Sequence, residues 1–313
     1  MTAKPDCIVC LLRQFLQISR MCGQNDDELN NSFFSMLDMT SSLARDMSPP
    51  EMAAFFTKKI EESTGIADPY KRIKVASNEA AMKLYPELKE RVNKADDSFA
   101  EALCLAIAGN LIDFGAKVSL DLHEALREIL EQPLFQHIES GDSFNRELFR
   151  LADFRTAIES AETILYLGDN AGEIVFDRVF IEALLEEHPE KKITFVVRGG
   201  PALNDALLED VSDVGIDNLV EVMSSGTATA GTVLSNCSAE FLQKLDSTDL
   251  VISKGQGNYE ALSGEELPPT WFLFRIKCGL VADHAGGPEG SLVLKQNSTE
   301  KIRRNVKNAS VHF

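Results

Sequence analysis

The sequence predicts an α/β fold in which a helical region precedes a doubly wound unit with a mostly parallel sheet. Two observations support this. Apolar residues recur at spacings of three and four through the first half, as in amphipathic helices. In the second half, short β-rich apolar runs alternate with helical stretches, which is typical of a parallel sheet with helices on both faces. We therefore divide the chain into a helical region, 1–156, and an α/β core, 157–313.

The helical region begins with a clear periodic pattern. Leu11, Phe15 and Ile18 fall at spacings of three and four and share one helix face. Two joints, 65–70 and 115–121, contain turn-forming residues and predict loops. The predicted helices of this region are 7–21, 29–45, 50–62, 78–92, 99–114, 123–135 and 145–152.

The pattern changes near Glu162. Residues 163–167 read Thr-Ile-Leu-Tyr-Leu, a buried-strand signal that ends at Gly168. A helical stretch follows, and the alternation then continues to the end of the core. The predicted strands are 163–167, 193–197, 219–222, 250–253, 271–276 and 291–294, and the predicted helices are 174–184, 202–208 and 239–245.

The composition excludes several classes of protein. The net charge of −18 disfavours a general binder of nucleic acid or of an anionic membrane. There is no apolar run of about 18 residues, the length of a membrane span, so no membrane partner is expected. The first six residues do not resemble a signal peptide, and the six cysteines are too scattered for a secreted disulfide scaffold. These features predict a cytoplasmic protein.

Polar residues follow three of the predicted strands. Since ligands of open α/β sheets bind beyond the carboxyl ends of the strands, these residues are predicted to form one site. They are Asp169, Asn170 and Glu173 after the first strand, Arg198, Gly199, Asn204 and Asp205 after the second, and Lys254, Gly255 and Asn258 after the fourth.

The residue types at this edge favour phosphate chemistry. Asp and Asn oxygens, completed by water, are the hard ligands that Mg²⁺ and Mn²⁺ prefer. Lys254 and Arg198 are candidates for binding phosphoryl oxygens. Taken singly, each residue has a simpler interpretation: Asp169 and Asn170 as a helix cap, Asp205 and Lys254 as surface residues. Their coincidence at three strand ends favours a site.

The same motifs bear on other chemistries. No G-x-x-x-x-G-K-[ST] loop is present, and no D-x-D follows the first strand, so neither a P-loop hydrolase nor an aspartyl-phosphate enzyme is supported. A metal-activated water is the simpler nucleophile. The 165–172 segment also resembles the glycine-rich loop of S-adenosylmethionine-dependent methyltransferases. In those enzymes an acidic residue usually ends the next strand, and here Arg198 stands there.

The motifs together resemble the DUF89 family of damage-control phosphatases over nearly the whole chain. Cys7-x-x-Cys10 is similar to the stand-alone subfamily. The central matching motifs are 168–173, 198–201 with Asn204-Asp205, and 253–255 with 258–260. Weaker matches are Asp68-Pro69-Tyr70, Asn78, Gly109-Asn110, Asp113 and Lys277-Cys278.

The resemblance implies a helical part packed on a Rossmann-like α/β/α core and a divalent metal, Mg²⁺, Mn²⁺, Co²⁺ or Ni²⁺. It implies metal ligands Asp169, Asn170 and Asp205, and phosphate contacts from Lys254 with Asn110 or Asp113. The implied substrates are sugar phosphates or damaged phosphometabolites. Gln256 departs from the acidic residue of some relatives, which leaves substrate selection open.

The working hypothesis is a metal-dependent phosphatase acting on small phosphate esters. Asp169, Asp205 and Lys254 are its catalytic residues, with Asp169 or Asp205 accepting a proton from the attacking water. Glu173, Arg198, Gly199, Asn204 and Asn258 join Asn110 and Asp113 as predicted substrate-binding residues. A methyltransferase and a non-catalytic phosphometabolite-binding protein are the alternatives. A homo-oligomer is left open.

Overall fold

The computed structural model describes residues 1–41, 43, 45–109 and 147–297. Its helices are α1 (Pro5–Met21), α2 (Asp26–Thr40), α3 (Pro49–Thr64), α4 (Lys71–Lys94), α5 (Ser98–Gly109), α6 (Leu151–Ser160), α7 (Glu173–Glu187), α8 (Leu208–Val214), α9 (Ala239–Ser247), α10 (Gln256–Leu262) and α11 (Gly279–Ala285). Its strands are β1 (Thr163–Leu167), β2 (Lys192–Val197), β3 (Glu221–Ser224), β4 (Leu250–Lys254), β5 (Thr270–Arg275) and β6 (Leu292–Gln296).

The six strands form one sheet in the order β3-β2-β1-β4-β5-β6. All neighbours are parallel except β5 and β6, which pair antiparallel. The strand order reverses between β1 and β4, because the chain moves outward from β1 to β3 and then returns to the other side of β1. In open α/β sheets the crevice at such a reversal is where ligands bind. The predicted α/β fold with a mostly parallel sheet is confirmed.

Alternate residues of each strand enter two different cores, as the period of two requires. Ile164 and Tyr166 pack with α4, α5, α6 and α7 on one face of the sheet. Leu165 and Leu167 pack with α9, α10 and α11 on the other face. The first core contains residues from both sides of position 156. Helices α4 and α5 of the predicted helical region therefore supply part of a layer of the α/β core.

Helices α1, α2 and α3 form a third, smaller cluster around Phe15, Met36 and Phe56. Two of these helices begin at capping residues. Asn25 accepts hydrogen bonds from the backbone N–H groups of Asp27 and Glu28 at 3.1 and 3.0 Å, and a Ser48–Glu51 capping box opens α3. This cluster brings the first turns of α1 and α3 to the carboxyl edge of the sheet.

Several predicted boundaries were wrong. Residues 202–208 do not form a helix, because the backbone there is bonded across to the loop after β1; the helix begins at Leu208. Helix α2 ends at Thr40, not at 45, and the helix predicted at 145–152 instead spans Leu151–Ser160. The loop at 115–121, the helix at 123–135 and the end of the helix at 99–114 lie outside the described residues.

None of the helices in the described part of the chain is both long enough and apolar enough to cross a lipid bilayer.

Candidate functional site

A cleft of about 1350 Å³ lies between the helical cluster and the carboxyl edge of the sheet. Its floor is formed by the loops that follow β1 and β2, and its wall by α1, the start of α3 and the segment after β5. The residues that line the floor are Asp169, Asn170, Ala171, Glu173, Leu203, Asn204 and Asp205. Five of the residues predicted to form the site therefore share this cleft.

The loops after β1 and β2 are joined by backbone hydrogen bonds. Ala171 N–H donates to Asn204 O at 2.9 Å, and Ala206 N–H donates to Asp169 O at 2.8 Å. These bonds make an isolated antiparallel bridge between Asn170 and Asp205. The bridge holds two carboxylates and one amide side by side at the point where the strand order reverses.

Leu203 has a left-handed backbone with φ of +54° in the loop just before Asn204. Branched, bulky residues adopt this conformation rarely, and such strain is often found at functional sites. Leu203 also lines the cleft. The strained turn lets the chain after β2 double back and place Asp205 against the β1 loop, which the helix predicted at 202–208 would not allow.

The two carboxylates are buried in a strongly acidic environment. Burial, together with the nearby charges of Asp205 and Glu173, raises the pKa of Asp169 to about 8. Burial also raises the pKa of Asp205, although Arg198 opposes this. Like charges in a site of low dielectric disfavour ionisation. A bound cation would relieve this repulsion.

The guanidinium group of Arg198 lies beside both carboxylates and does not line the open cleft. Arg198 is 3% exposed, donates from Nε to Asp205 Oδ2 at 2.6 Å, and donates from Nη1 to Thr232 Oγ1 at 2.9 Å. Its Nη2 lies 3.8 Å from Asp169 Oδ1 and has no hydrogen-bond partner among the residues described. Arg198 thus orients Asp205 and leaves one buried donor directed toward the carboxylate pair.

Lys254 is buried beneath the cleft floor. Its ammonium donates to Glu173 Oε1 at 2.7 Å, to Asp177 Oδ1 at 2.5 Å and to Ala106 O at 2.9 Å. Burial disfavours the charged form, but these carboxylates raise the pKa of Lys254 above its ordinary value. All three donors of the ammonium are therefore used within the protein.

Glu173 connects this buried cation to the predicted metal ligands. Asn170 Nδ2 donates to Glu173 Oε2 at 3.3 Å and to Asp169 Oδ2 at 2.8 Å. With its amide nitrogen engaged in this way, Asn170 presents its Oδ1 oxygen as the remaining ligand atom. Hydrogen bonds therefore connect Lys254 in the core to Asp169 in the cleft by way of Glu173 and Asn170.

The donor set fits a divalent cation. Among residues 1–41, 43, 45–109 and 147–297, no three His, Cys, Asp or Glu side chains converge to form a cage. The predicted set is instead two carboxylates and one amide oxygen, which suits a hard ion that keeps several waters. The crowding of acidic groups around Asp169 and the close approach of Gly255, described next, are consistent with that set.

Because Gly255 has no side chain, the carboxylate of Asp169 can occupy the space beside it. Gly255 has φ of +81°, and a Cβ added there would lie 2.1 Å from Asp169 Oδ2. The first residue after β4 must therefore be glycine for both backbone and steric reasons. The close approach joins the ends of β1 and β4, the two strands that flank the reversal in strand order.

We expect Gly255→Ala to lower any activity that depends on Asp169 by about a hundredfold or more, the cost of displacing a reacting group by about 1 Å. Gly286→Ala is the matched control, because Gly286 has the same φ of +81° and open space around its Cβ position. Thermal unfolding measures the shared backbone strain, and steady-state kinetics measure the displacement of Asp169. Equal activity losses in the two variants would contradict the assigned role of Gly255.

Asn258 and Gly199 do not line the cleft. Asn258 is fully buried and ties three loops together, accepting from Thr232 N–H at 2.9 Å and donating to Lys254 O at 2.8 Å and Gly168 O at 3.3 Å. Gly199 is exposed, and a Cβ added there would lie 2.5 Å from the backbone of Gly226. Asn110 and Asp113 lie outside the described residues.

Lys277 was absent from the predicted site and lies in the cleft. Burial raises the pKa of Asp169, Asp205 and Glu260, and the charge of Lys277 counteracts the increase in each. Its backbone N–H donates to Gln256 Oε1 at 2.8 Å, and no ion pair in the described part of the chain uses its ammonium. Lys277 follows the fifth strand, so the strand-end rule applied once more would have identified it.

Comparison with known proteins places the chain in a family. It matches the model of the damage-control phosphatase ARMT1-like domain over residues 3–293. A damage-control phosphatase of Archaeoglobus fulgidus is 30% identical over 301 residues, covering 94% of this chain and 99% of the relative. A damage-control phosphatase of Pyrococcus horikoshii is 32% identical over 299 residues, covering 95% and 99%. The crystal structure of a DUF89 family protein from Pyrococcus horikoshii superposes with a TM-score of 0.83 at 29% identity, covering 95% of this chain and 99% of that one. The resemblance in the motifs is thereby confirmed: this chain belongs to the damage-control phosphatase ARMT1-like domain family.

Proposed function

We propose that this protein is a divalent-metal-dependent phosphatase that hydrolyses phosphate monoesters of small metabolites, either sugar phosphates or damaged phosphometabolites. The observation that carries the proposal is the bridge between Asn170 and Asp205, which gathers two carboxylates and an amide at the floor of a large cleft. The names of the relatives support the phosphatase reaction. The volume of the cleft leaves room for a metabolite beyond its phosphoryl group.

In this proposal Asp169, Asn170 and Asp205 hold the metal, which is Mg²⁺, Mn²⁺, Co²⁺ or Ni²⁺. When bound, the metal supplies Lewis-acid polarisation of the phosphoryl group and lowers the pKa of water. The carboxyl oxygen of Asp205 that is not bonded to Arg198, or a carboxyl oxygen of Asp169, accepts a proton from the attacking water. Asn204, on the cleft floor, is placed to contact the substrate.

Two cations have different roles in the proposal. Lys254 fixes Glu173 and, through it, Asn170, so it acts through its neighbours and not by touching the phosphoryl group. Lys277, one of the cations that line the cleft, contacts phosphoryl oxygens and stabilises the charge that develops on them. Since the whole chain carries a net charge of −18, such a local cation is needed for an anionic substrate to enter.

We expect Lys277→Met to lower kcat/KM by about a hundredfold, the effect typical of losing one electrostatic contact to the transition state. The affinity for the metal should stay the same or rise, because a positive charge near the carboxylates is removed. The control is Lys244→Met, which breaks an exposed ion pair with Glu221 on the surface. An unchanged kcat/KM in the Lys277 variant would remove Lys277 from the mechanism.

Release of inorganic phosphate from a panel of sugar phosphates and an aryl phosphate tests the function. The protein is first stripped with EDTA and then given each of the four metals in turn. Metal-restored release from one group of esters supports the proposal and identifies the substrate class. Absence of release with every metal, combined with calorimetric binding of S-adenosylmethionine, would favour the methyltransferase alternative. Metabolite binding without turnover would favour a binding protein.

A further inference from the structure

Asn78 lies on α4, far along the chain from the predicted metal ligands, yet it contacts the ends of both loops that carry them. The residue is 2% exposed. Its Oδ1 accepts a hydrogen bond from Gly172 N–H at 2.7 Å, and its Nδ2 donates to Asp210 Oδ1 at 2.9 Å. One buried amide thus uses its acceptor and its donor on two different parts of the core.

Gly172 and Asp210 each close one of the ligand loops. Gly172 is the last residue before α7 and has φ of +82°, three positions after Asp169. Asp210 accepts a hydrogen bond at Oδ2 from Leu207 N–H at 2.8 Å, which fixes the start of α8 at Leu208, three residues after Asp205. The middles of the two loops are already joined by the Asn170–Asp205 bridge. Asn78 joins the ends of the same two loops through its hydrogen bonds to Gly172 and Asp210.

The neighbours of Asn78 fix the direction of its amide. Gly172 N–H is only a donor, and the carboxylate oxygen of Asp210 is an acceptor, so the side chain has one orientation that satisfies both. Lys74, one helical turn earlier, lies 2.9 Å from Asp68 and 3.8 Å from Asp210. The positive charge of Lys74 stabilises the carboxylate of Asp210, which accepts the hydrogen bond from the Asn78 amide.

We propose that Asn78 is a positioning residue for the metal: it holds the β1 and β2 loops at the separation that Asp169 and Asp205 need to bind one cation. The inference deepens the proposed function and rests on its metal site. Residues that hold metal ligands from behind typically contribute tenfold to a hundredfold in metal affinity. The effect of Asn78 should therefore appear in metal binding before it appears in the chemical step.

The test exchanges the two partners. Asn78→Asp places a carboxylate against Asp210, and Asp210→Asn turns an amide N–H toward the N–H of Asn78, because its oxygen is needed by Leu207. Asn78→Asp with Asp210→Asn restores the hydrogen bond between the two side chains with donor and acceptor reversed, while the N–H groups of Gly172 and Leu207 still donate to residues 78 and 210. The dissociation constant for Mn²⁺ is measured by electron paramagnetic resonance on EDTA-stripped protein, without substrate, at pH 8 so that the facing carboxyls of the first variant do not share a proton.

We expect each single variant to weaken Mn²⁺ binding at least tenfold and the double variant to bind within threefold of the original protein. Tyr85→Phe is the control. It removes a hydrogen bond of 2.7 Å from the same helix α4 to Glu182 of α7, without contact to either ligand loop, so it should lower stability and leave Mn²⁺ binding unchanged.

Single variants that lose as much stability as Tyr85→Phe yet bind Mn²⁺ normally would overturn the inference, as would a double variant that fails to recover binding while remaining folded. Failure of the proposed function is distinguishable, because the readout needs no turnover. Original protein that binds Mn²⁺ but releases no phosphate would refute the phosphatase and leave the role of Asn78 measurable. Original protein that binds no Mn²⁺ would refute the metal site itself, and this inference with it.

Discussion

Replacement of Asp169 by Asn should reduce metal-dependent phosphate release by at least about a thousandfold, because the charged ligand at the centre of the proposed site is lost and the metal's contribution with it. The substitution keeps the size of the side chain, so the bonds of the β1 loop to Asn204 and Ala206 should persist. Asp213→Asn, at an exposed position on α8, is the control. Initial rates with saturating Mn²⁺ measure the effect. Activity within tenfold of the original protein would refute the assignment.

The Asp169→Asn variant should also change the stability of the metal-free protein, in a direction that depends on pH. In the metal-free protein the pKa of Asp169 is raised from 3.8 to about 8, so the folded state becomes less stable as pH rises through this window. The asparagine side chain of the variant cannot ionise. Without metal we therefore expect Asp169→Asn to unfold at a higher temperature than the original protein at pH 8, and at a similar temperature at pH 4. Saturating metal should stabilise only the original protein, by about 2.7 kcal/mol at a hundred times its dissociation constant.

Replacement of Lys254 by Met should destabilise the fold by about 3–5 kcal/mol, the cost of leaving buried carboxylates without their cation. Glu173 and Asp177 both lose their partner, and neither can turn to water, since each is at most 1% exposed. The phosphatase activity should fall as well, because Glu173 then ceases to hold Asn170. Urea unfolding and initial rates measure the two effects.

The contrasting variant is Lys89→Met, which breaks the partly exposed ion pairs of Lys89 on α4 with Glu182 and Glu186 on α7 and should cost about 1 kcal/mol or less. Adding Asp177→Asn to Lys254→Met should recover part of the lost stability by removing one unpaired charge. A Lys254→Met protein that is as stable as the original and defective only in turnover would contradict the buried network. It would instead restore the direct phosphoryl contact predicted from the sequence.

Most of the strands could be predicted from sequence because each of these is a short, mainly apolar run, and the carboxyl ends of parallel strands necessarily share an edge. The bounds of β3 (Glu221–Ser224) were shifted from the predicted 219–222, because its sequence Glu-Val-Met-Ser is not such a run. The strand-end rule places Asp169, Asn170, Glu173, Asn204 and Asp205 together, and all five line one cleft. It needed no knowledge of which helices cover the sheet. This is why the floor of the site could be identified before the structure was known.

Side-chain direction at the strand ends was less predictable. Leu250 and Ile252 pack on the α5–α7 face, and the period of two puts Lys254 on that same face, beneath the site and not above it. Its partner Asp177 stands four residues after Glu173, the spacing that places two side chains on one helix face. Both signals were present in the sequence, but the layer that they point into becomes apparent only in the folded structure.

Other features depend on tertiary contacts that no local pattern records. The apolar pattern at 202–208 fits a helix, yet hydrogen bonds to the β1 loop and the positive φ of Leu203 override it. Asn78 contacts Gly172 and Asp210 across separations of 94 and 132 residues. Periodicity and strand-end rules use only near neighbours, so they could not predict these contacts.

A metal titration of phosphate release shows whether the carboxylate edge is the proposed metal-dependent phosphatase site. Protein stripped with EDTA is assayed with an aryl phosphate and with the best sugar phosphate, while Mn²⁺ is added from zero to saturation. The proposed metal site requires that no phosphate is released without metal, and that release rises with Mn²⁺ in the original protein but not in Asp169→Asn. Undiminished release by the stripped protein, or none at any concentration of any of the four metals, would contradict it.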